Sequence, residues 1–409
     1  MSAERHSAAA RFPRVDGELT IGGVKASVLA ERVGSTPFYA YDRSLLSARV
    51  AELRALLPAG ISLHYAMKAN PMPAVVQHMA RLVDGLDVAS GGELRVAMDT
   101  GMTPDEISFA GPGKTDIELA QAVASGVLVN TESERELRVL AECSQRLGLP
   151  ARVAVRVNPD FELKSSGMKM GGGPKQFGID AEQVPQALAE IGRLGLCFEG
   201  FHIYSGSQNL RADSICDAQT KVLELAARLA QHAPSPVKVL NLGGGFGIPY
   251  FPGEKPLEAQ EVGHHLRQIV AQAAERLPQA RLVIELGRYL VGEAGVYVCR
   301  VLDRKVSRGE VFLVTDGGLH HHLAASGNFG QVIRKNYPVE IATRSVDAAR
   351  EKASVVGPLC TPLDLLADRM DLAEAHPGDL VAVFQSGAYG PSASPASFLS
   401  HPAAREVLV

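Results

Sequence analysis

Five cysteines in 409 residues, Cys143, Cys197, Cys216, Cys299 and Cys360, stand apart, with no Cys-x-x-Cys and no paired spacing. That scarcity argues against a disulfide framework and a zinc knuckle, and no metal site is expected. The chain also lacks an excess of either charge, since 41 Lys and Arg stand against 45 Asp and Glu for a formal net charge of -4 at pH 7. Without basic blocks there is no electrostatic footprint for nucleic acid or an anionic membrane surface. No apolar run reaches membrane-spanning length, and the most apolar late stretch, 282–298, is broken by Glu285, Arg288 and Glu293. The first residues lack the apolar core of a secretory signal, so 1–17 is expected to be a flexible leader and the protein cytoplasmic. What the chain does have is apolar material: 46% hydrophobic against 21% charged residues, the balance of a folded and not a disordered chain.

Between residues 62 and 285 short apolar runs alternate with segments of helical period. Eight runs predict strands, at 64–67, 86–89, 107–110, 127–130, 151–157, 198–204, 239–242 and 282–285. Helices are predicted between them, over 71–82, 92–98, 131–147, 181–191, 213–232 and 257–274. Such alternation implies parallel βαβ units, and eight of them fit a closed (β/α)8 barrel better than an open doubly wound sheet. After Gly292 the period changes, and runs at 296–302, 310–314, 339–342, 354–356 and 380–384, separated by Gly, Asp and Pro, predict an antiparallel β domain. The expected plan is a leader (1–17), N-terminal strands joining the β domain (18–42), an α/β barrel (43–291) and a C-terminal β domain (292–409). Two aperiodic stretches, 164–176 and 319–335, read as functional loops.

In a barrel, reactive groups gather where strands end. The first predicted strand runs into Lys68-Ala69-Asn70, the second bears Asp87, and the sixth is followed by Ser205-Gly206-Ser207-Gln208. The seventh ends in Gly243-Gly244-Gly245-Phe246-Gly247 and the eighth in Glu285-Leu286-Gly287-Arg288. A lysine leaving an apolar strand is partly desolvated, the condition that suits a Schiff-base amine; the alternative is an ordinary surface lysine. The glycine run is too short for a P-loop and reads either as a tight turn or as backbone N–H groups cradling a phosphate, with Gly287 and Arg288 as a second wall. Glu285, if buried, needs a cation, either Arg288 or a protonated pyridine nitrogen. A lysine, a phosphate cradle and a buried carboxylate are the three things pyridoxal 5′-phosphate requires.

Tyr65-Ala66-Met67-Lys68-Ala69-Asn70, Ser90-Gly91-Gly92-Glu93-Leu94, Gly206-Ser207-Gln208, the glycine run, Glu285-Leu286-Gly287-Arg288, Cys360 and Gly387-Ala388-Tyr389-Gly390 together resemble the pyridoxal-phosphate fold-type III decarboxylases. These are the diaminopimelate and ornithine decarboxylases, with an alanine-racemase-like barrel, and the resemblance spans roughly residues 36–409. It implies that Lys68 forms the Schiff base, that Glu285 holds the ring-nitrogen proton and that Asp87 lies near both. It also implies phosphate binding by Ser207, Gly244, Gly245, Gly287, Arg288 and Tyr389, with Gly243 in the same turn. Cys360, contributed by the partner subunit of a homodimer with shared active sites, would return a proton after CO2 leaves.

Three departures bear on the site. The family stacks a histidine on the cofactor just before Gly-Ser-Gln, where this chain has Phe201-His202-Ile203-Tyr204, so either Tyr204 or His202 takes that role. Leu286 replaces a proline. An acidic residue close after the family's cysteine holds a distal amine, whereas here Cys360-Thr361-Pro362 follows, with Asp364 four positions on. Asp316-Gly317-Gly318-Leu319-His320-His321-His322 also replaces the usual loop, first as a solvated turn, otherwise for substrate recognition or, least favoured, for a metal. Arg334 matches an arginine that grips a carboxylate, and with Arg288, His321 and Asp364 it completes the expected substrate contacts. Ser326-Gly327-Asn328-Phe329-Gly330 and Cys360-Thr361-Pro362-Leu363-Asp364 are similar to a branch found with exopolysaccharide and exosortase systems. The expected activity is α-decarboxylation of an atypical amino acid, free or carrier-linked, with meso-diaminopimelate and ornithine as poor substrates. A racemase and a catalytically silent cofactor binder are the alternatives; Cys360 argues against the first, and Lys68 with Cys360 against the second.

Overall fold

The computed structural model describes residues 6–161, 168–169, 171–329, 331 and 334–409. Residues 1–5 of the expected leader, 164–167 and 170 of the first expected loop, and 330, 332 and 333 of the second lie outside the described residues. The chain divides into two compact units: Arg49–Ile248 with Lys255–Leu290, and Met1–Ala48 with Pro249–Glu254 and Val291–Val409.

The first unit is a closed barrel of eight parallel strands, Ile61–Ala66, Gly85–Val88, Ile107–Phe109, Leu128–Thr131, Arg152–Asn158, Cys197–Ile203, Val239–Gly244 and Arg281–Leu286. Each pairs with the next, and the eighth closes on the first, Glu285 opposite His64 and Leu286 opposite Tyr65. Local chemistry sets the helix ends. Asp116–Ser125 opens with a capping box between Thr115 and Glu118 and stops at left-handed Gly126. Glu134–Leu147 starts later than its periodicity predicts, because Thr131 ends a strand and Ser133 caps the helix by accepting the Glu136 N–H, with two glutamates in the positive first turn.

The second unit is built on the long strand Gly295–Ser307, which pairs antiparallel with Phe38–Tyr41, Glu310–Thr315 and Leu380–Val383. The sheet is mixed and not wholly antiparallel, since Arg350–Val356 runs parallel to Glu310–Thr315 and Arg405–Leu408 parallel to Phe38–Tyr41. Long connections permit those parallel pairings, which no hairpin could make. Leu365–Ala373 and Arg405–Leu408 escape the sequence reading because charged residues interrupt them and leave no apolar run.

The described part of the expected leader is packed, not flexible. His6 caps a short helix, Ser7–Ala10, and Ala8, Ala9 and Phe12 are buried among Phe38, Val296, Val298 and Phe384. Phe12 lies 5.6 Å from Phe384, and burying such a ring is worth about 1.5–3 kcal/mol. The polar composition of the segment conceals this because only a few apolar side chains make the contact.

Candidate active site

The barrel strands deliver their polar residues to one end of the unit. Lys68 stands on the single turn Met67–Ala69 that follows the first strand. Its side chain is exposed and not desolvated, because it lies just beyond the apolar run; its Nζ is 5.9 Å from the centre of the Tyr204 ring. Asp87, buried on the second strand, accepts a hydrogen bond from Ser108 Oγ and faces His64 Nδ1 at 3.2 Å.

Glu285 is buried at the end of the eighth strand, where Asn241 Nδ2 donates to its Oε2 at 3.1 Å and His202 Nε2 stands 3.2 Å from the same oxygen. Burial alone would push the carboxyl up, but the facing His202, with Lys68 and Arg156 further away, holds it far below the ordinary carboxylate range. It is therefore an anion at neutral pH.

The glycine run needs its glycines. A Cβ on Gly244 would collide with the carbonyl oxygen of Glu285, and Gly245 has φ 79°, with a Cβ there meeting the carbonyl of Gly206. The turn can therefore lie flat between the sixth and eighth strand ends, and Gly243 N–H is fixed by Asn241 Oδ1 at 2.8 Å. Ser207 is half-buried in a short strand, Gly206–Ser207, that pairs with Met168–Lys169. Gly287 and the half-buried Arg288 follow the eighth strand. His202 and Tyr204 separate: His202 is buried against Glu285, while half-buried Tyr204 presents its ring to Lys68.

The sequence reading missed the layer behind these groups. His64, Ser108, Asn130, Arg156 and Asn241 are polar residues inside otherwise apolar strands, and that interruption was the available signal. Arg156 donates to Glu132 at 2.7 Å, and Lys114 reaches Glu136 at 3.1 Å. Burial raises the Glu132 carboxyl, but Arg156 and Lys114 outweigh it and keep the group ionised.

The second unit carries the remaining expected site residues. Cys360 is a free, exposed thiol, and half-buried Tyr389 has φ 53°. Asp364 does not face outward as a substrate-binding group would. It is buried and accepts from the N–H groups of Leu319 at 2.6 Å and Leu359 at 2.8 Å, joining two loops. The histidine run is not a solvated turn either, since His320, His321 and His322 are all buried. His321 Nε2 contacts the Pro402 carbonyl at 2.8 Å, and His322 Nε2 contacts Ser386 Oγ at 2.9 Å. Burial lowers His320 to about 4 and His322 to about 3, so both are neutral at pH 7. Arg334 spends its guanidinium on the carbonyls of Ser326 and, at 2.7 Å, Leu365. Among the described residues no group of histidine, cysteine and acidic side chains could hold a metal ion, and no helix is long and apolar enough to cross a membrane.

Against known proteins, the chain matches the family described as pyridoxal-dependent decarboxylase, pyridoxal binding domain, over residues 43–292. It is 41% identical over 379 residues to an L-glutamyl-(BtrI acyl-carrier protein) decarboxylase of Niallia circulans, covering 91% of this chain and 88% of that one. It is 34% identical over 397 residues to a diaminopimelate decarboxylase of Aquifex aeolicus, covering 96% and 91% of the two chains. Among solved structures it resembles the M. jannaschii diaminopimelate decarboxylase in co-complex with L-lysine, with TM-score 0.87, 26% identity, and 98% and 93% of the chains covered.

Proposed function

Since the chain belongs to the pyridoxal-dependent decarboxylases and is a pyridoxal 5′-phosphate-dependent carboxy-lyase of amino acids, we propose that its substrate is an amino acid tethered to a carrier, not free diaminopimelate or ornithine. One observation carries this reading. Asp364, the acidic residue nearest after Cys360, is consumed by two backbone N–H groups, so the cysteine loop offers no carboxylate for a distal ammonium. A substrate whose far end is joined to a carrier needs none. The likeness to a glutamyl-carrier decarboxylase over nine-tenths of the chain supports the same choice.

The residues present fit the cofactor. A buried carboxylate kept ionised suits a protonated ring nitrogen, an exposed amine at a strand end suits an aldehyde, and a turn that excludes Cβ atoms suits close approach of backbone N–H groups to phosphate. When bound, pyridoxal 5′-phosphate supplies the electron sink for the bond broken as CO2 leaves. Lys68 would anchor it, Glu285 would keep the proton on the ring nitrogen, and Asp87 would lie alongside. The turn at Gly243, Gly244 and Gly245, with Ser207, Gly287 and Arg288, would hold the phosphate. Tyr204 would cover the ring face, leaving His202 to support Glu285. Cys360 Sγ would give its proton to the carbon that lost CO2, and its exposure is consistent with delivery from a second copy in a homodimer. The proposal takes the reaction to be cytoplasmic and, through the motifs at Ser326 and Cys360, linked to exopolysaccharide synthesis.

CO2 release by the cofactor-loaded enzyme tests the substrate. Aminoacyl groups on a phosphopantetheinylated carrier, glutamyl first, should be turned over at least ~100-fold more efficiently than free glutamate, diaminopimelate or ornithine. Efficient turnover of free diaminopimelate or ornithine would sink the proposal.

A further inference from the structure

The seventh strand carries a residue that no motif marks. Asn241 is buried, two positions before the first glycine of the turn, and both ends of its amide are engaged. Its Oδ1 accepts the Gly243 N–H at 2.8 Å, and its Nδ2 donates to Glu285 Oε2 at 3.1 Å. The backbone N–H can only donate and the carboxylate only accept, so one orientation of the amide satisfies both. Resting on the reading that Glu285 serves the ring nitrogen and the glycine turn the phosphate, we propose that Asn241 is a positioning residue that locks these two ends of the cofactor site to each other.

The amide suits this place better than its near-isosteres. An aspartate could still accept from Gly243, but it would set a second carboxylate against Glu285 in a buried site, and the pair would have to share a proton. Serine could accept from the turn yet is too short to reach Glu285. Only a side chain with a donor and an acceptor held in one plane serves both neighbours. His202 acts on the same oxygen from the sixth strand, level with Asn241 in the ladder, so Glu285 Oε2 meets a neutral donor and an imidazole together.

The test measures the dissociation constant of pyridoxal 5′-phosphate and the pH response of its bound absorbance band, with melting of the cofactor-free protein as the control for folding. N241D should weaken cofactor binding by about tenfold and shift the pH response, because a second carboxylate changes the charge that faces the ring nitrogen. N241S, which leaves the turn an acceptor, should lose a similar factor with little change in the pH response. In an E285Q background the N241D penalty should shrink to about twofold or less, because the clash of carboxylates is gone. Equal N241D penalties in both backgrounds, or wild-type binding and pH response in N241D, would overturn the role of Asn241. If E285Q itself leaves the pH response as in wild type, the Glu285 reading fails first, and the inference falls with it.

Discussion

In the barrel unit the residues proposed for the cofactor site lie where regular strands stop: Lys68 after the first, Gly243 to Gly245 at the end of the seventh, Glu285 at the end of the eighth. In the β unit the polar residues expected to meet substrate lie on loops and are turned inward. Asp364 staples Leu319 to Leu359, Arg334 holds two carbonyls, and the three histidines are packed under the surface. The same residue types thus do opposite jobs. A strand end has its backbone satisfied by the ladder, which frees the side chain for chemistry. A long loop has no ladder, so its buried N–H and C=O groups take up whatever polar side chains are at hand.

That contrast can be broken from either side. The largest effect is expected in the barrel. Lys68→Ala should abolish borohydride-reducible attachment of the cofactor and lower decarboxylation by at least ~1,000-fold, read by mass spectrometry of the reduced protein and by CO2 release. A reduced adduct retained in the variant would remove Lys68 from its role. In the β unit, Asp364→Asn should cost about 1–3 kcal/mol of stability through the Leu319 and Leu359 N–H groups while cofactor affinity stays unchanged. Chemical denaturation measures the first and absorbance titration the second; a variant of native stability with altered substrate preference would return Asp364 to substrate recognition.

The smallest effect separates a packed histidine from a solvated one. Burial lowers His322 to about 3 in the folded protein, against an ordinary value near 6.5. The unfolded chain therefore takes up this proton first as pH falls, so its contribution is complete above about 6.5 and is lost progressively between about 6.5 and 3, by up to ~1.4 kcal/mol per pH unit. His322→Gln should flatten the fall in melting temperature between pH 7 and 5 by a few degrees. An unchanged slope would mean that His322 does not carry this linkage.

Much of the site is legible in the sequence because strand ends announce themselves. The apolar runs mark the strands, and Lys68, Asp87 and Glu285 stand beside them as charged residues against an apolar background. His64, Arg156 and Asn241 are just as visible as interruptions of apolar strands, yet no rule of spacing says which interruption faces a carboxylate beside the neighbouring strand. The leader and the histidine run mislead for a common reason. Composition averages over neighbours in sequence, whereas burial of Phe12 or His322 depends on strands far along the chain.

By itself the sequence determined the alternation of strand and helix, hence the barrel, and the order of reactive residue types along it, because period and propensity are local properties. Which of those residues would touch was decided only when the strands closed. Parallel register brought Asn241 and His202 level with each other and both onto Glu285, and the long loops of the β unit turned Asp364 inward to meet backbone groups that no ladder could satisfy.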